Sequence, residues 1–131
     1  MRTICLLFLT ALLTGCGGPP LQVVKGKVTL DGEPLADASV MFQSEDESTF
    51  AMADTNASGD FELLQDENTA GLPAGKYLVT ISTFVPPNED ADPPDPGKPE
   101  RVPERYNINS DLFREVTSGD NAFEFKLESG Q

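Results

Sequence analysis

Apolar positions in this chain recur at every second residue. In residues 22–30, Val24, Gly26, Val28 and Leu30 alternate with Val23, Lys25, Lys27 and Thr29, which predicts a strand with one buried face. Asp31-Gly32 follows and supplies the left-handed backbone conformations of a two-residue hairpin turn. Ala38, Val40 and Phe42 then alternate with Ser39, Met41 and Gln43, predicting a second strand ahead of the charged loop Glu45-Asp46-Glu47. A third strand is predicted over residues 49–53, and DTNASGDFELL turns the chain into a fourth with Phe61 and Leu63 on one face. In GLPAGKYLVTISTF, a turn over residues 73–75 leads into a long strand with Tyr77, Val79 and Ile81 inward. Two strands close the chain, over residues 112–117 and 122–127. Phe123, Phe125 and Leu127 share a face of the last, and Ser118-Gly119-Asp120-Asn121 turns between the two. Seven strands at this spacing predict an all-β sandwich.

Two stretches depart from the alternation. Residues 85–103 hold seven prolines in nineteen positions and the run Asn88-Glu89-Asp90-Ala91-Asp92. Proline has no N–H to give a ladder, and the stretch offers almost nothing apolar to bury. It is therefore expected as an exposed, partly extended loop, a spacer or disordered segment. The other departure is residues 1–15, where Arg2 precedes an apolar run that ends at Leu13. That run is too short for a membrane-spanning helix, which needs about 20 apolar residues, and it has the form of a secretory signal peptide.

Leu13-Thr14-Gly15-Cys16 resembles the lipobox of bacterial lipoproteins, in which the cysteine sulfur takes a diacylglyceryl group and cleavage leaves that cysteine first. The resemblance implies a signal peptide at residues 1–15, lipidation at Cys16, a tether at 16–21 and a folded domain at 22–128. One acyl chain binds a membrane only marginally, whereas the two or three of a lipoprotein hold firmly. The implied location is the cell envelope. Gly17 after the cysteine, rather than aspartate, resembles the enterobacterial signal for an outer membrane. The competing reading is an ordinary signal peptide with an incidental cysteine.

Charge and composition narrow the chemistry. The 131 residues include 22 acidic and 9 basic side chains, a net of −13, and loss of Arg2 with the signal brings this to about −14. Such a chain repels nucleic acid and anionic membrane surfaces, and its acidity serves the solubility of a secreted domain. Cys5 leaves with the signal and Cys16 becomes a thioether, so the mature chain has neither free thiol nor disulfide. There is no histidine, which removes imidazole base catalysis and the usual zinc sites. The sequence sets no carboxylate pair apart in an apolar pocket, so no catalytic residue is assigned and no cofactor is expected.

Two sharper ideas attach to particular residues. Asp54, Asn56, Ser58 and Asp60 place oxygens at alternate positions with Gly59 sixth, as in a calcium loop. Gln65 occupies the twelfth position in place of a bidentate glutamate and the flanks alternate as strands, so a hairpin turn is the preferred reading and no metal is assigned. A lysine-to-asparagine isopeptide bond would draw on Lys25 or Lys27 and Asn121, but both lysines fall on the polar face of their strand.

VKGKVTLDGEPLADASVMF, ADTNASGDFEL and GLPAGKYLVTI are together similar to the carboxypeptidase regulatory-like domain, a transthyretin-like or prealbumin-like sandwich. VPERYNINSDLFREVTSGDNAFEFKL looks like the tail of small lipoproteins abundant in planctomycete-type bacteria. Ile108-Asn109-Ser110-Asp111 departs from the Ser/Thr-rich loop usual there. The shared positions are turns and core: Gly26 relieves crowding, Asp31, Gly32 and Gly59 turn the chain, and Pro73 to Gly75 set the register of the next strand. The resemblance implies a single seven-stranded Greek-key β-sandwich without enzymatic activity, serving as a structural or protein-interaction module among envelope proteins. The alternative is a domain that binds a small ligand or carbohydrate with the loops at one end. With no tryptophan, two tyrosines and most phenylalanines assigned to the core, little remains for stacking on sugars. The oligomeric state is left open.

Overall fold

The computed structural model describes residues 20–130; the proposed signal segment and Cys16 lie outside the described residues. Twelve strands follow in order: β1 (Leu21–Gln22), β2 (Val24–Leu30), β3 (Glu33–Pro34), β4 (Ser39–Ser44), β5 (Phe50–Asp54) and β6 (Asp60–Glu62). The second half contributes β7 (Leu64–Asp66), β8 (Thr69–Ala70), β9 (Leu72–Pro73), β10 (Gly75–Ser82), β11 (Leu112–Val116) and β12 (Asn121–Leu127). A single 3-10 turn at Glu104–Tyr106 is the one helical element among the described residues. The seven segments with apolar alternation form β2, β4, β5, β6, β10, β11 and β12. The five others are two or three residues long and carry no period that a sequence could display.

The strands form two principal sheets. One runs β11-β10-β4-β5-β7-β8, antiparallel throughout. In the other, β2 is central, with β12 along one edge and β3 and β6 sharing the other. β12 lies parallel to β2, Asn121 opposite Val24 and Leu127 opposite Leu30. Asp31 and Gly32, at φ 53° and 85°, close the two-residue turn from β2 into β3. The hairpin is short because the chain crosses to the six-stranded sheet at β4.

The inward faces meet in one core. Val24, Val28, Phe61, Phe125 and Leu127 come from the four-stranded sheet, and Val40, Phe42, Tyr77, Val79 and Ile81 from its partner. Phe42 sits at the centre, its ring 5.8 Å from Phe123 and 6.2 Å from Phe125 across the sheets. Each such side chain stabilises the fold by about 1.5–3 kcal/mol of removed apolar surface. The result is an all-β architecture consistent with a β-sandwich. Gly26 makes the packing of Phe61 attainable: a Cβ there would lie 2.5 Å from the Phe61 ring and 2.6 Å from the Phe123 carbonyl oxygen.

Strand direction gives the molecule two poles. β1 pairs with β9, which leads into the start of β10, while Gln22 leads into the start of β2. The β1–β9 ladder, the 117–120 turn and the acidic 45–47 loop therefore share one pole. The opposite pole gathers Asp31-Gly32, the proline-rich segment, the 3-10 turn and the end of β12.

The proline-rich segment differs from the expected spacer. It folds back as a hairpin, with Val85 and Lys98 exchanging backbone hydrogen bonds of 3.0 and 2.9 Å, and Asn88 and Asp95 doing so at 2.8 and 2.9 Å. Its return strand is anchored by Val102, whose side chain is buried in the core. One apolar residue suffices because Glu100 ties the same stretch to the end of β10.

Candidate functional site

The four oxygen-bearing residues 54, 56, 58 and 60 build a turn. The Asn56 side-chain oxygen accepts hydrogen bonds from the Ser58 and Asp60 N–H groups at 2.9 and 3.0 Å. The Gly59 N–H donates to the Asn56 carbonyl at 2.9 Å. Gly59, at φ 79°, is required because a Cβ would stand 2.4 Å from the Val28 carbonyl oxygen. Asn56 is thus spent on backbone donors, as an Asx turn demands. Among the described residues no three acidic, cysteine or histidine side chains gather as a metal would need. Gly75 opens β10 opposite Val116.

Lys25 and Lys27 point to solvent. Asn121 is buried, and its amide is consumed locally: the nitrogen donates to the carbonyls of Thr117 and Gly119 at 2.9 and 3.1 Å, and the oxygen accepts from the Thr117 N–H at 3.0 Å. It is the clamp of the turn between β11 and β12.

The loops at the far pole form an open cleft of about 310 Å³ lined by Ser82, Phe84, Glu100, Glu104, Asn107 and Ile108. Phe84 and Ile108 are 57% and 77% exposed. Its central polar groups are committed to the protein itself. One Glu100 oxygen accepts from the Thr83 N–H at 2.8 Å, the Thr83 hydroxyl at 3.0 Å and the Val102 N–H at 3.1 Å, and the other takes the Ser82 hydroxyl. Burial alone would raise the pKa of Glu100, but these donors outweigh it and hold the carboxyl below its ordinary value. The Asn107 amide nitrogen donates to the carbonyls of Val102 and Pro103. The cleft therefore has apolar walls and few free polar groups to orient a small ligand.

At the other pole, Asp46 accepts from the Ser44 hydroxyl at 2.6 Å, the Ser48 hydroxyl at 2.7 Å and the Ser48 N–H at 3.1 Å. The Ser44 and Ser48 hydroxyls, then the Ser48 N–H, pull its pKa down to about 2. The loop is held as a fixed negative charge at every physiological pH.

The most extended feature is the outer face of the six-stranded sheet. Cross-strand register sets Phe113, Leu78, Gln43 and Phe50 in one row, and Thr80, Met41, Met52, Leu64 and Ala70 in the next. Phe50 is 51% exposed, and Phe113, Met52 and Leu64 about as much. Most phenylalanines were expected in the core; Phe50, Phe84 and Phe113 are at the surface. On the side of the β1 pole the band is bordered by Glu115, Lys76 and Glu45, on the other side by Ser82, Ser39 and Asp54. Lys76 lies 3.6 Å from Glu45 and 4.7 Å over the Phe113 ring. Alternation put Met41, Leu64 and Leu78 opposite the core-facing residues of their strands and gave no face to Phe50, Met52 or Phe113; the register sets all six in one band.

No protein-family model matches the chain, and no curated protein or solved structure matches it either.

Proposed function

We propose that the protein is a non-enzymatic envelope lipoprotein, anchored through Cys16, whose transthyretin-like, Greek-key sandwich of the carboxypeptidase regulatory-like kind acts as a protein-interaction module. The anchor rests on the Leu13-Thr14-Gly15-Cys16 motif, which stands four residues before Pro20. Four residues between Cys16 and Leu21, fully extended, reach about 14 Å, so a lipidated cysteine keeps the β1 pole against the bilayer and the proline-rich hairpin turned away from it. The observation that carries the interaction role is the apolar band on the outer sheet face, since isolated domains rarely leave so continuous a patch uncovered. Small-ligand binding is less well supported because Glu100 and Asn107, at the heart of the loop cleft, are hydrogen-bonded internally.

Intact-mass measurement of the protein from its native membrane tests the anchor. A chain starting at Cys16 and carrying two or three acyl chains is the expected result; a chain starting elsewhere with a free thiol overturns it. Crosslinking of the native envelope tests the module, with discrete protein adducts expected.

A further inference from the structure

The band offers more than an uncovered surface, because its composition and its frame select a partner. Met41 and Met52 lie directly opposite one another across β4 and β5 at its centre, with Leu78 on one side and Phe50 and Leu64 on the other. Methionine is unbranched and polarizable and adapts to irregular apolar partners, so a Met pair amid Leu and Phe suits a ridge of side chains better than a flat rigid ligand. The sheet twists by about 20–25° per strand, so a straight partner stays in contact over only three or four strands, β10 to β7, a span of about 14 Å. At 1.5 Å per residue that span is about nine residues, or about two and a half turns of helix. The two rows, about 7 Å apart and apolar except at Gln43 and Thr80, match the stripe of one amphipathic helix.

The frame decides the sign of the partner. Glu115, Glu45 and Asp54 border the rows, Asp66 lies exposed at the end of β7, and Lys76, the one cation among them, is already paired with Glu45. A second copy of this chain would bring carboxylates onto carboxylates across the face, in a molecule with a net charge of −13. A helix with an apolar stripe flanked by lysines or arginines meets both requirements.

We propose that the outer face of the six-stranded sheet docks a cationic amphipathic helix of a partner protein, its apolar stripe on Met41, Met52, Phe50, Leu64 and Leu78 and its cations against the surrounding carboxylates. The proposal deepens the interaction-module reading and is independent of the lipid anchor.

The test titrates the full chain, held in zwitterionic nanodiscs, into two labelled helical peptides of about 12 residues, read by fluorescence anisotropy. Both carry the same leucine stripe; one is flanked by lysines, the other by glutamates. The lysine peptide is expected to bind saturably and to weaken with added salt, and the glutamate peptide to bind about ten-fold more weakly or not at all. The combined Met41→Ser and Met52→Ser substitutions are expected to cost about ten-fold in affinity with the unfolding midpoint close to that of the parent, since both side chains lie on the outer face, Met52 44% exposed and Met41 partly exposed. Glu124→Ala, on the outer face of the other sheet, leaves affinity unchanged. Equal binding of both peptides, no binding of either, or affinity indifferent to the methionine substitutions overturns the proposal. A dimer in sedimentation that the same substitutions dissociate overturns it in favour of a second copy. Native crosslinks that persist in the methionine variant leave the module reading standing on another surface.

Discussion

Phe42 of the six-stranded sheet and Phe125 of the four-stranded sheet meet edge to face, ring centroids 6.2 Å apart and planes at 78°. Neither sheet has a covered inner face without the other, and this pair lies where the two close. Phe42 also packs 6.4 Å from Tyr77 on its own sheet and 5.8 Å from Phe123 opposite, so its loss would open a cavity walled by aromatic rings that cannot collapse independently. Phe42→Ala is expected to destabilise the fold by about 3–5 kcal/mol. Urea unfolding measures it; a loss below about 1 kcal/mol would mean the sheets do not depend on this contact.

Gly26 is the second point of closure. A methyl group there meets the Phe61 ring and the Phe123 carbonyl at once, and only the ring can move. Gly26→Ala is expected to cost about 1–3 kcal/mol. Pairing it with Phe61→Leu relieves the ring contact but not the carbonyl contact, so a double-mutant cycle should recover part of the loss and not all of it.

The Asn121 clamp provides a third case. The residue is 7% exposed, and its side chain joins the Thr117 N–H and the Thr117 and Gly119 carbonyls. Asn121→Ala leaves these groups without partners and is expected to cost about 1–3 kcal/mol. Asn121→Asp keeps the acceptor for the Thr117 N–H but turns a carboxylate onto two carbonyl oxygens, so it is expected to be at least as damaging as alanine. Unfolding midpoints of the two variants, compared at one pH, check the order.

Strand existence was legible wherever one face is buried and one wet: Val24 and Val28, Val40 and Phe42, Tyr77 with Val79 and Ile81, and Phe125 with Leu127 all follow the period of two. The parallel run of β12 against β2 was not, since alternation says which face is buried and nothing about strand direction. The strands from β7 to β9 escaped because the chain changes sheets at Leu63 and Leu64, one buried and the next exposed, and the pairs that follow are too short to show a pattern. The proline-rich hairpin escaped for another reason: its order comes from backbone pairs, one buried valine and one glutamate, none of which forms a motif. The apolar band was half legible. Met41, Leu64 and Leu78 fall opposite the core-facing residues in the alternation, but Phe50, Met52 and Phe113 were given no face, and the contiguity of all six is a property of register between strands.

Glu100 makes the hairpin sensitive to acid. Its carboxylate accepts from the Ser82 hydroxyl, from the N–H and hydroxyl of Thr83 and from the Val102 N–H, and only the ionised form accepts all four. Its pKa in the folded chain lies below the ordinary 4.5. The sign follows by linkage: a depressed folded-state pKa contributes stability that is complete above the unfolded value and is lost as pH falls through the folded one. Protection of the Thr83 and Val102 amides from hydrogen exchange, corrected for the intrinsic rate, is therefore expected to hold at neutral pH and to be lost as the pH falls below 4.5 and through the lowered folded-state pKa. Glu100→Gln, which retains one acceptor oxygen and replaces the other with a donor, is expected to lower that protection at neutral pH and to flatten its acid dependence. The amides of Leu78 and Thr80, paired with Gln43 and Met41 of β4 inside the six-stranded sheet, should keep their protection over the same range, because Val102 is one residue among the many that close the core. If Val102 lost protection in step with Thr80, the hairpin and the sheets would be a single cooperative unit and Glu100 would act on global stability rather than on the loop.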